Sequence, residues 1–478
     1  LLTVAILCAG IVLLKANQAS TNPSELHKAL PHAAGVPNLY QSVVRQCQRM
    51  ISPSRHLPWC GELSYTPGFN QGPTVAQAAL EGIKEFADPT HGVDRPDTGP
   101  LDWRWNWSSG LWGGHSLQHW WQSAMAMRTL VRYLEVTHNT DPAYQTILMR
   151  TYHRDSGHTA GETPFAIAKN DFVNAFMDDT AWWGLAWLEA SRYELNYRHD
   201  VADAQTFLRL AEYGADYISK QQKSCGGIVW QIGFPSDTVT NAEYMALVAE
   251  LASYRNQPGP FHNPTKASRW IGEAQATLSW LQRHNLVNLR RGTVRDSLNA
   301  ACNGLIAGPI TYTEGEVADA LVQVGTALHD SSYYQQANQF LKYVLSKKST
   351  MVNSKGILQE PCERDSTGCT GSNLYFDELS WKGVLVQAFL DYTAATGSTE
   401  YGSFLRRQAV AIVHNVIVRS DGKAGNCQTP DSCQFVFYWG WPVTPSRSPF
   451  VNNATQMDAL DALTAALAVP ANSPPKTF

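Results

Sequence analysis

The sequence carries little charge for its length and contains no cluster of basic residues. Only 16% of its 478 residues are charged, and 37 lysines and arginines are balanced by 41 aspartates and glutamates, which gives a net charge of −4. Because nucleic-acid-binding domains display a basic patch or stripe, nucleic acid is not expected as a partner. The nine cysteines form no CxxC pair, which argues against a structural zinc site, and we expect neither a metal nor another cofactor.

Long apolar runs are also lacking. The longest is the N-terminal LLTVAILCAGIVLLK, an apolar stretch of 14 residues that ends at Lys15, whereas a membrane-spanning helix needs about 20. Small residues follow at Ala16, Ala19 and Ser20, so we interpret residues 1–19 as a secretory signal peptide without its charged start. An uncleaved anchor is the alternative. After cleavage we expect a secreted monomer with no membrane insertion.

The number of cysteines fits an exported protein. Loss of Cys8 with the signal peptide leaves an even number, eight, which allow 105 pairings. Short spacings favour three local disulfides, and they leave Cys225 to pair with Cys302. The local candidates are Cys47–Cys60, Cys362–Cys369 and Cys427–Cys433.

Strand signals are few, and helical periodicity dominates. In residues 115–134, apolar side chains recur three and four positions apart, as on the buried face of a helix. Short strands are indicated only at 226–234 and 433–439. About twelve helices are predicted, near 74–87, 115–134, 142–152, 179–197, 202–222, 241–255, 265–284, 314–329, 332–346, 378–396, 400–417 and 455–468.

Such a series of helices predicts an all-α protein built from paired antiparallel helices. Six helical hairpins can close into an (α/α)6 barrel, and an open solenoid is the alternative. We expect one catalytic domain over residues 74–470. An irregular lead-in over 20–73, rich in Pro, Ser, Gly and Asn and stapled by a disulfide, would precede it, and a tail over 471–478 would follow.

Two adjacent acids, Asp178 and Asp179, lie in an aromatic segment that continues with Trp182 and Trp183. Neighbouring carboxylates repel each other, so their pairing makes sense where one stays ionised and the other holds a proton. Glycosidic bonds are cleaved by two carboxyl groups in these two states, and flat aromatic rings suit the stacking of sugars. The alternative is that both acids only complement the dipole at the start of a helix.

In order along the chain, eight segments resemble motifs of glycoside hydrolase family 76, the endo-α-1,6-mannanase family. The resemblance covers most of residues 110–468 and implies an (α/α)6 barrel with a groove at one end. It further implies retaining hydrolysis of α-1,6-linked mannose, with Asp178 as the nucleophile and Asp179 as the general acid/base. The segments are HWWQSAMAMRTLVRYLEVT, FMDDTAWWGLAWLEA, CGGIVW, NAEYMALVAELASY, TYTEGEVADALVQVG, GILQEPCE, LSWKGVLVQAFLDY and TQMDALDALTAAL.

The retaining mechanism requires carboxyl groups about 5–5.5 Å apart. Because consecutive residues inside a helix point in different directions, we expect the pair at a helix start, with Asp178 still in loop conformation. The negative charge of Asp178 and the nearby Trp rings are expected to raise the pKa of Asp179, while the helix dipole opposes this shift.

The remaining motifs predict sugar-contacting residues, each with a structural alternative. One of the two tryptophans at 120 and 121 is expected to pack inward, Asn241 could be a helix cap, and Glu314 could complement a helix dipole. Lys382 could instead be a surface lysine beside a core tryptophan. The candidates are Trp120, Trp121, Gln122, Trp182, Trp183, Trp230, Asn241, Tyr312, Glu314, Lys382 and Trp439.

Departures from the family pattern occur at Ser236-Asp237 and Thr313-Glu314, where they would alter the sugar subsites and leave the acid pair intact. The leading hypothesis is a secreted endo-α-1,6-mannanase whose partner is a mannan polysaccharide. A transglycosylase of the same family is the second. The third hypothesis is a non-catalytic glycan-binding barrel or an epimerase. A binding protein would not need the acid pair, and an epimerase would be expected to use histidines as acid and base.

Overall fold

The computed structural model describes residues 104–106, 111–114, 120–157, 170–221, 223–299, 301–302, 305–306, 310–364, 369, 376–415, 417–418, 433–440 and 453–469. The predicted signal peptide, the lead-in over 20–73, the helix near 74–87, the tail over 471–478 and the pair Cys47–Cys60 lie outside these residues. So does Cys427, the proposed partner of Cys433.

Eleven α-helices occur in the described ranges. Their positions agree with the sequence periodicity to within a few residues, apart from the start of the first. They are α1 (Trp120–Thr137), α2 (Pro142–Asp155), α3 (Met177–Tyr193), α4 (Val201–Ser219), α5 (Thr238–Asn256), α6 (Pro264–Arg283), α7 (Thr311–Leu328), α8 (Ser331–Leu345), α9 (Trp381–Thr396), α10 (Gly402–His414) and α11 (Asn453–Ala468). None of these helices has both the length and the apolar composition that crossing a membrane requires.

Six of the helices form a closed inner ring. Helices α1, α3, α5, α7, α9 and α11 each pack against the next, and α11 packs back against α1. The intervening helices lie outside this ring; α4 packs on α3, α6 on α5, α8 on α7 and α10 on α11. The protein is therefore an all-α barrel of the (α/α)6 type, as predicted, and the closed ring excludes the open solenoid.

The two layers have different burial patterns. Outer helix α6 buries one stripe, in which Trp270, Ala274, Leu278 and Leu281 follow helical spacing. Inner helix α5, in contrast, is buried at every position from Thr238 to Ala252. Inner helices such as α5 thus lack an amphipathic stripe. Their sequences therefore do not indicate which side chains face the barrel axis and which face the outer layer.

Short antiparallel strand pairs join the helices at the ends of the barrel. The hairpin β3 (Lys223–Ser224) and β4 (Gly227–Ile228) lies between α4 and α5. The other pairs are β1 (Arg104–Asn106) with β2 (Leu111–Gly114), β5 (Val287–Asn288) with β6 (Thr293–Val294), β7 (Ser297–Leu298) with β8 (Leu305–Ile306), and β9 (Ile417–Val418) with β10 (Cys433–Gln434). Both predicted strand segments contain a strand, although β10 pairs with a distant segment.

Two of the predicted disulfides are present. Cys225 and Cys302 are joined with their Cα atoms 5.5 Å apart, and Cys362 and Cys369 with theirs 4.7 Å apart. The first bond ties the β3–β4 hairpin to the connection that leads into α7. This hairpin is the segment that carries Trp230 beside the acid pair.

An ion cluster inside the barrel joins four inner helices. The guanidinium of Arg128, on α1, lies 2.8 Å from Glu189 on α3, 3.4 Å from Asp319 on α7 and 3.8 Å from Glu250 on α5. All four side chains are buried. A buried charge is tolerated only when it is paired and hydrogen-bonded, so these contacts constrain how the inner helices pack around the axis.

Candidate active site

The acid pair lies at the start of inner helix α3. This helix begins at Met177, so Asp178 and Asp179 are its second and third residues. The pair is at a helix start as predicted, but the expectation that Asp178 is still in loop conformation is wrong. Phe176 holds the extended conformation instead, because it bridges to Gln231 while the backbone N–H of Met177 donates to the carbonyl of Trp230 at 2.8 Å.

Trp230 fixes one of the two carboxyl oxygens of Asp178. The indole N–H of Trp230 donates a hydrogen bond to Oδ2 at 2.8 Å. Oδ1 is buried and has no hydrogen-bond partner among the described residues. A buried polar atom without a partner is costly, so the packing around Asp178 leaves one acceptor of the acid pair unsatisfied.

Asp179 is positioned by the segment that precedes the helix. The side-chain amide of Asn174 donates to Oδ2 of Asp179 at 2.7 Å. Asn174 is itself fixed, because its Oδ1 accepts the backbone N–H of Phe176 at 2.9 Å. The two carboxyl groups are therefore held from separate directions, Asp178 by the hairpin and Asp179 by the loop before α3.

The surroundings of Asp178 disfavour its ionised form. Burial raises the pKa of Asp178 well above its usual value, and the negative charge of Asp179 raises it further. The hydrogen bonds from Trp230 and from the backbone N–H of Asp179 act in the opposite direction. Because the two carboxyls are adjacent and interact, their pKa values belong to the pair and not to either residue alone.

Further acids face Asp178 from neighbouring elements. Burial, followed by the charge of Asp178, raises the pKa of Asp237 to about 8. Burial and the charges of Glu316 and Asp178 raise the pKa of Glu243, on α5, well above its usual value. Asp377, before α9, also acts on Asp178.

Aromatic rings form one wall beside these acids. Tyr312 has its ring centre 5.7 Å from that of Trp121, and it stacks on Trp381 at 5.9 Å with an interplanar angle of 14°. The hydroxyl of Tyr312 donates to Glu243 at 2.9 Å, and the indole N–H of Trp121 donates to Asp377 at 3.2 Å. Trp230, Tyr312 and Trp381 are all partly exposed, so a ligand can reach them.

The arrangement suits two-carboxyl chemistry on a neutral polar ligand, and the comparison with known proteins agrees. The family model for glycosyl hydrolase family 76 matches residues 96–477. The chain belongs to glycosyl hydrolase family 76. This confirms the resemblance that the ordered motifs indicate. Across the described residues of this family 76 barrel, no group of three or more His, Cys, Asp or Glu side chains is arranged to hold a metal ion.

Individual relatives are distant. Mannan endo-1,6-alpha-mannosidase DCW1 from Candida glabrata is 21% identical over 288 residues, which cover 58% of this chain and 58% of the relative. The match thus spans little more than half of that relative's length.

Two solved structures share the fold. Dfg5 from Chaetomium thermophilum, in complex with glucosamine, has a TM-score of 0.63 at 20% identity, over 85% of this chain and 92% of that chain. The GH76A alpha-1,6-mannanase from Salegentibacter sp. HEL1_6 has a TM-score of 0.55 at 18% identity, over 83% of this chain and 99% of that chain.

Several predicted sugar-contacting residues of this family 76 barrel are in its core. Trp182 and Trp183 have no exposed surface, so the prediction that they stack on sugar is wrong. Trp182 packs behind Trp121, with ring centres 5.9 Å apart. Trp120 is buried and stacks on Phe172 at 6.4 Å, and Trp121 is buried to a similar degree, so both members of this pair pack inward and not one of them. These rings support the site from behind.

Four other candidates hold the scaffold together. Lys382 is buried in an ion pair with Glu363 at 2.8 Å, and its ammonium lies 4.9 Å from the ring centre of Trp439. Neither a sugar contact nor a surface position therefore fits Lys382, and Trp439 is not a sugar platform. Glu314 is buried and accepts the N–H of Ile310 at 3.1 Å, and Gln122 is buried and donates to Ser380 at 3.1 Å.

Asn241 supports the hairpin instead of contacting the acid pair. Its side chain accepts the N–H of Ile228 at 3.0 Å and donates to the carbonyl of the same residue at 2.9 Å. It also lines a cleft of about 440 Å³ between the hairpin and α6, together with Lys223, Glu273 and Trp280. Neither Asp178 nor Asp179 lines this cleft.

The structure brings together Asp178, Asp179, Trp121, Trp230 and Tyr312, all predicted from the sequence. It adds residues that the sequence did not single out. Asn174 could have been noticed as a polar residue in the apolar segment before the acid pair, whereas Glu243 and Asp377 carry no local signal. They reach the site only because α5 and α9 belong to the same inner ring as α3.

Proposed function

We propose that this protein is a retaining glycoside hydrolase that cleaves α-1,6-mannosidic bonds within mannan. The observation that carries the proposal is the state of Asp178: Trp230 fixes its Oδ2, while its buried Oδ1 has no partner and the carboxyl of Asp179 follows at the next residue. The substrate class is supported by the family and by the α-1,6-mannan specificity in the names of two relatives.

The reaction would proceed by two displacements. Oδ1 of Asp178 attacks the anomeric carbon of a mannose residue, while Asp179 donates its proton to the departing glycosidic oxygen. A covalent mannosyl ester on Asp178 results, and the shortened chain leaves. Asp179, now ionised, then takes a proton from a water molecule whose oxygen attacks the same carbon. Two inversions restore the α-configuration and return the proton to Asp179.

The hydrogen bonds at the site are suited to this sequence. The N–H of Trp230 stabilises the carboxylate form of Asp178 before attack and the carboxylate that leaves at the second step. The proton for the departing glycosidic oxygen would have to be on Asp179 when the bond breaks. We expect substrate binding to fix the proton in that position.

An extracytoplasmic location is part of the proposal. Two disulfides in the described residues, Cys225–Cys302 and Cys362–Cys369, suit an oxidising compartment. They agree with the N-terminal segment interpreted above as a secretory signal. Mannan outside the cell is then the substrate that the protein would meet.

The test is to incubate the purified protein with linear α-1,6-mannan and follow the products by proton NMR from the first minutes. New reducing ends that appear as α-anomers, and only later mutarotate, are expected. Reducing ends that appear first as β-anomers would overturn the retaining mechanism. Products longer than the substrate would identify a transglycosylase, and an unchanged substrate would contradict activity on this glycan.

A further inference from the structure

An exposed aromatic ring lies beside the residue that holds Asp178. Phe234 is 50% exposed, and only one other large hydrophobic side chain among the described residues, Val201, is exposed to a similar degree, at 46%. The ring of Phe234 meets that of Trp230 edge-on, with centres 5.6 Å apart. One indole therefore separates Phe234 from the carboxyl of Asp178.

The loop that carries Phe234 is held firmly against the start of α3. The N–H of Ile232 donates to the carbonyl of Ala175 at 3.0 Å, and the N–H of Trp230 donates to Pro235 at 3.1 Å. The N–H of Phe234 closes a turn on Gln231 at 2.9 Å. The backbone that carries the ring is thus held in place beside the acid pair before any ligand binds.

Packing alone does not account for the exposed position of the Phe234 ring. Trp230 already has an aromatic neighbour, Phe176, at 5.3 Å, so Phe234 adds a second edge contact and leaves half of its own surface in water. An exposed apolar ring on a rigid loop at the edge of an active site gains free energy only when something covers it.

We propose that Phe234 is a binding platform for a mannose residue adjacent to the one being cleaved. The apolar C–H face of a pyranose would cover the ring, and the sugar hydroxyls would remain in water. This assignment rests on the proposed function, because it takes mannan as the ligand. It makes the loop over residues 231–236 a determinant of chain-length preference.

The experiment measures affinity without turnover. In an Asp178→Asn background, binding of α-1,6-mannotetraose is followed by titration calorimetry, with and without Phe234→Ala. We expect Phe234→Ala to weaken binding about tenfold, which is typical of truncating a well-packed aromatic contact. Phe234→Tyr, which keeps the flat ring, should bind as the parent does. Val201→Ala, at the other exposed hydrophobic residue, is the matched control and should also bind normally.

The outcomes separate this proposal from the proposed function. If the Asp178→Asn protein binds mannotetraose and Phe234→Ala binds it equally well, the platform is wrong and the proposed function stands. If the Asp178→Asn protein folds, as shown by its melting temperature, but binds no α-1,6-manno-oligosaccharide, both proposals are overturned. An equal loss in the Val201→Ala control would also overturn the platform.

Discussion

Trp230 fixes both the backbone at the start of α3 and the carboxyl group of Asp178. Its carbonyl accepts the N–H of Met177 at 2.8 Å, and its indole N–H donates to Oδ2 of Asp178, also at 2.8 Å. The hairpin between α4 and α5 therefore determines where α3 begins and how the carboxyl of Asp178 is oriented. The Cys225–Cys302 disulfide and Asn241 in turn hold the hairpin in place.

Trp230→Phe should impair catalysis by removing one hydrogen bond. The indole N–H lowers the pKa of Asp178, so its loss should raise that pKa and move the acidic limb of the pH–rate profile to higher pH. Removing a preorganised donor to a charged group should also reduce kcat by about tenfold to a hundredfold. The measurement is kcat and kcat/KM on α-1,6-mannan between pH 4 and pH 9.

Trp280→Phe is the matched control for this variant. Its indole N–H donates at 2.8 Å to the backbone carbonyl of Cys225, in the same hairpin but away from the acids. This variant should lose some thermal stability and keep the pH–rate profile of the wild type. An unchanged profile in Trp230→Phe, or equal shifts in both variants, would contradict a direct role of Trp230 at Asp178.

Substitution of each acid should give a different kinetic signature. Asp178→Asn removes the proposed nucleophile and should abolish turnover while mannan still binds. Asp179→Asn should act poorly on mannan but retain part of its activity on aryl mannosides with good leaving groups, which need less protonation. Steady-state rates on both substrates test this, and full activity in either variant would contradict the assigned roles.

The sequence predicts this architecture because helical segments recur along the chain with short connections, and outer helices such as α6 keep one apolar stripe. It also singles out the acid pair, because two adjacent carboxyls in an aromatic segment match the needs of glycosidic bond cleavage, although the same pair also suits the helix start where the structure places it. What it misjudges are side chains on the inner helices, such as Trp182 and Trp183, because those helices are buried all round and no stripe separates groove from core. Trp121 and Tyr312, from the same kind of helix, do lie beside the acids.

Long-range contacts account for the other differences. From the sequence alone, Lys382 could face the groove or the surface. In the fold, the segment around Glu363 covers Lys382 and supplies the carboxylate of a buried ion pair. The sequence gives no indication of a role for Phe234, because the proposed role depends on the turn that places its ring against Trp230. Motif spacing records neither the turn nor the ion pair.

Arg128→Met should destabilise the barrel strongly. Arg128 pairs with Glu189, and its removal leaves that carboxylate and those of Glu250 and Asp319 buried with less compensating charge. Breaking a buried ion pair in this way costs about 3–5 kcal/mol. Arg269→Met is the control, because Arg269 and its partner Asp216 are 46% and 37% exposed and such pairs contribute about 0–1 kcal/mol. If the buried cluster were unimportant, urea denaturation would show comparable losses of unfolding free energy in both variants.

Stability should fall as pH rises from mildly acidic to mildly alkaline values. Burial raises the pKa of Glu316 and of Glu360 to about 8 and that of Asp461 to about 7. The unfolded chain releases these protons at about pH 4, so between pH 4 and pH 8 the folded state binds more protons than the unfolded state. By linkage, the free energy of unfolding decreases across this range.

Glu316→Gln tests this linkage at one site. Glutamine keeps the shape of the side chain and cannot ionise, so the variant should melt a few degrees above the wild type at pH 8, and the difference should shrink towards pH 4. Asp330→Asn is the control: Asp330 caps α8 by accepting the N–H of Ser332 at 2.9 Å, a role that asparagine keeps. Its melting temperature at pH 8 should not rise above that of the wild type, because hydrogen bonds from Ser332 lower the pKa of Asp330 and favour its ionised form in the fold. If Glu316→Gln instead melts lower than the wild type at pH 8, the Glu316 carboxylate is ionised and paired in the fold, and burial does not govern its titration.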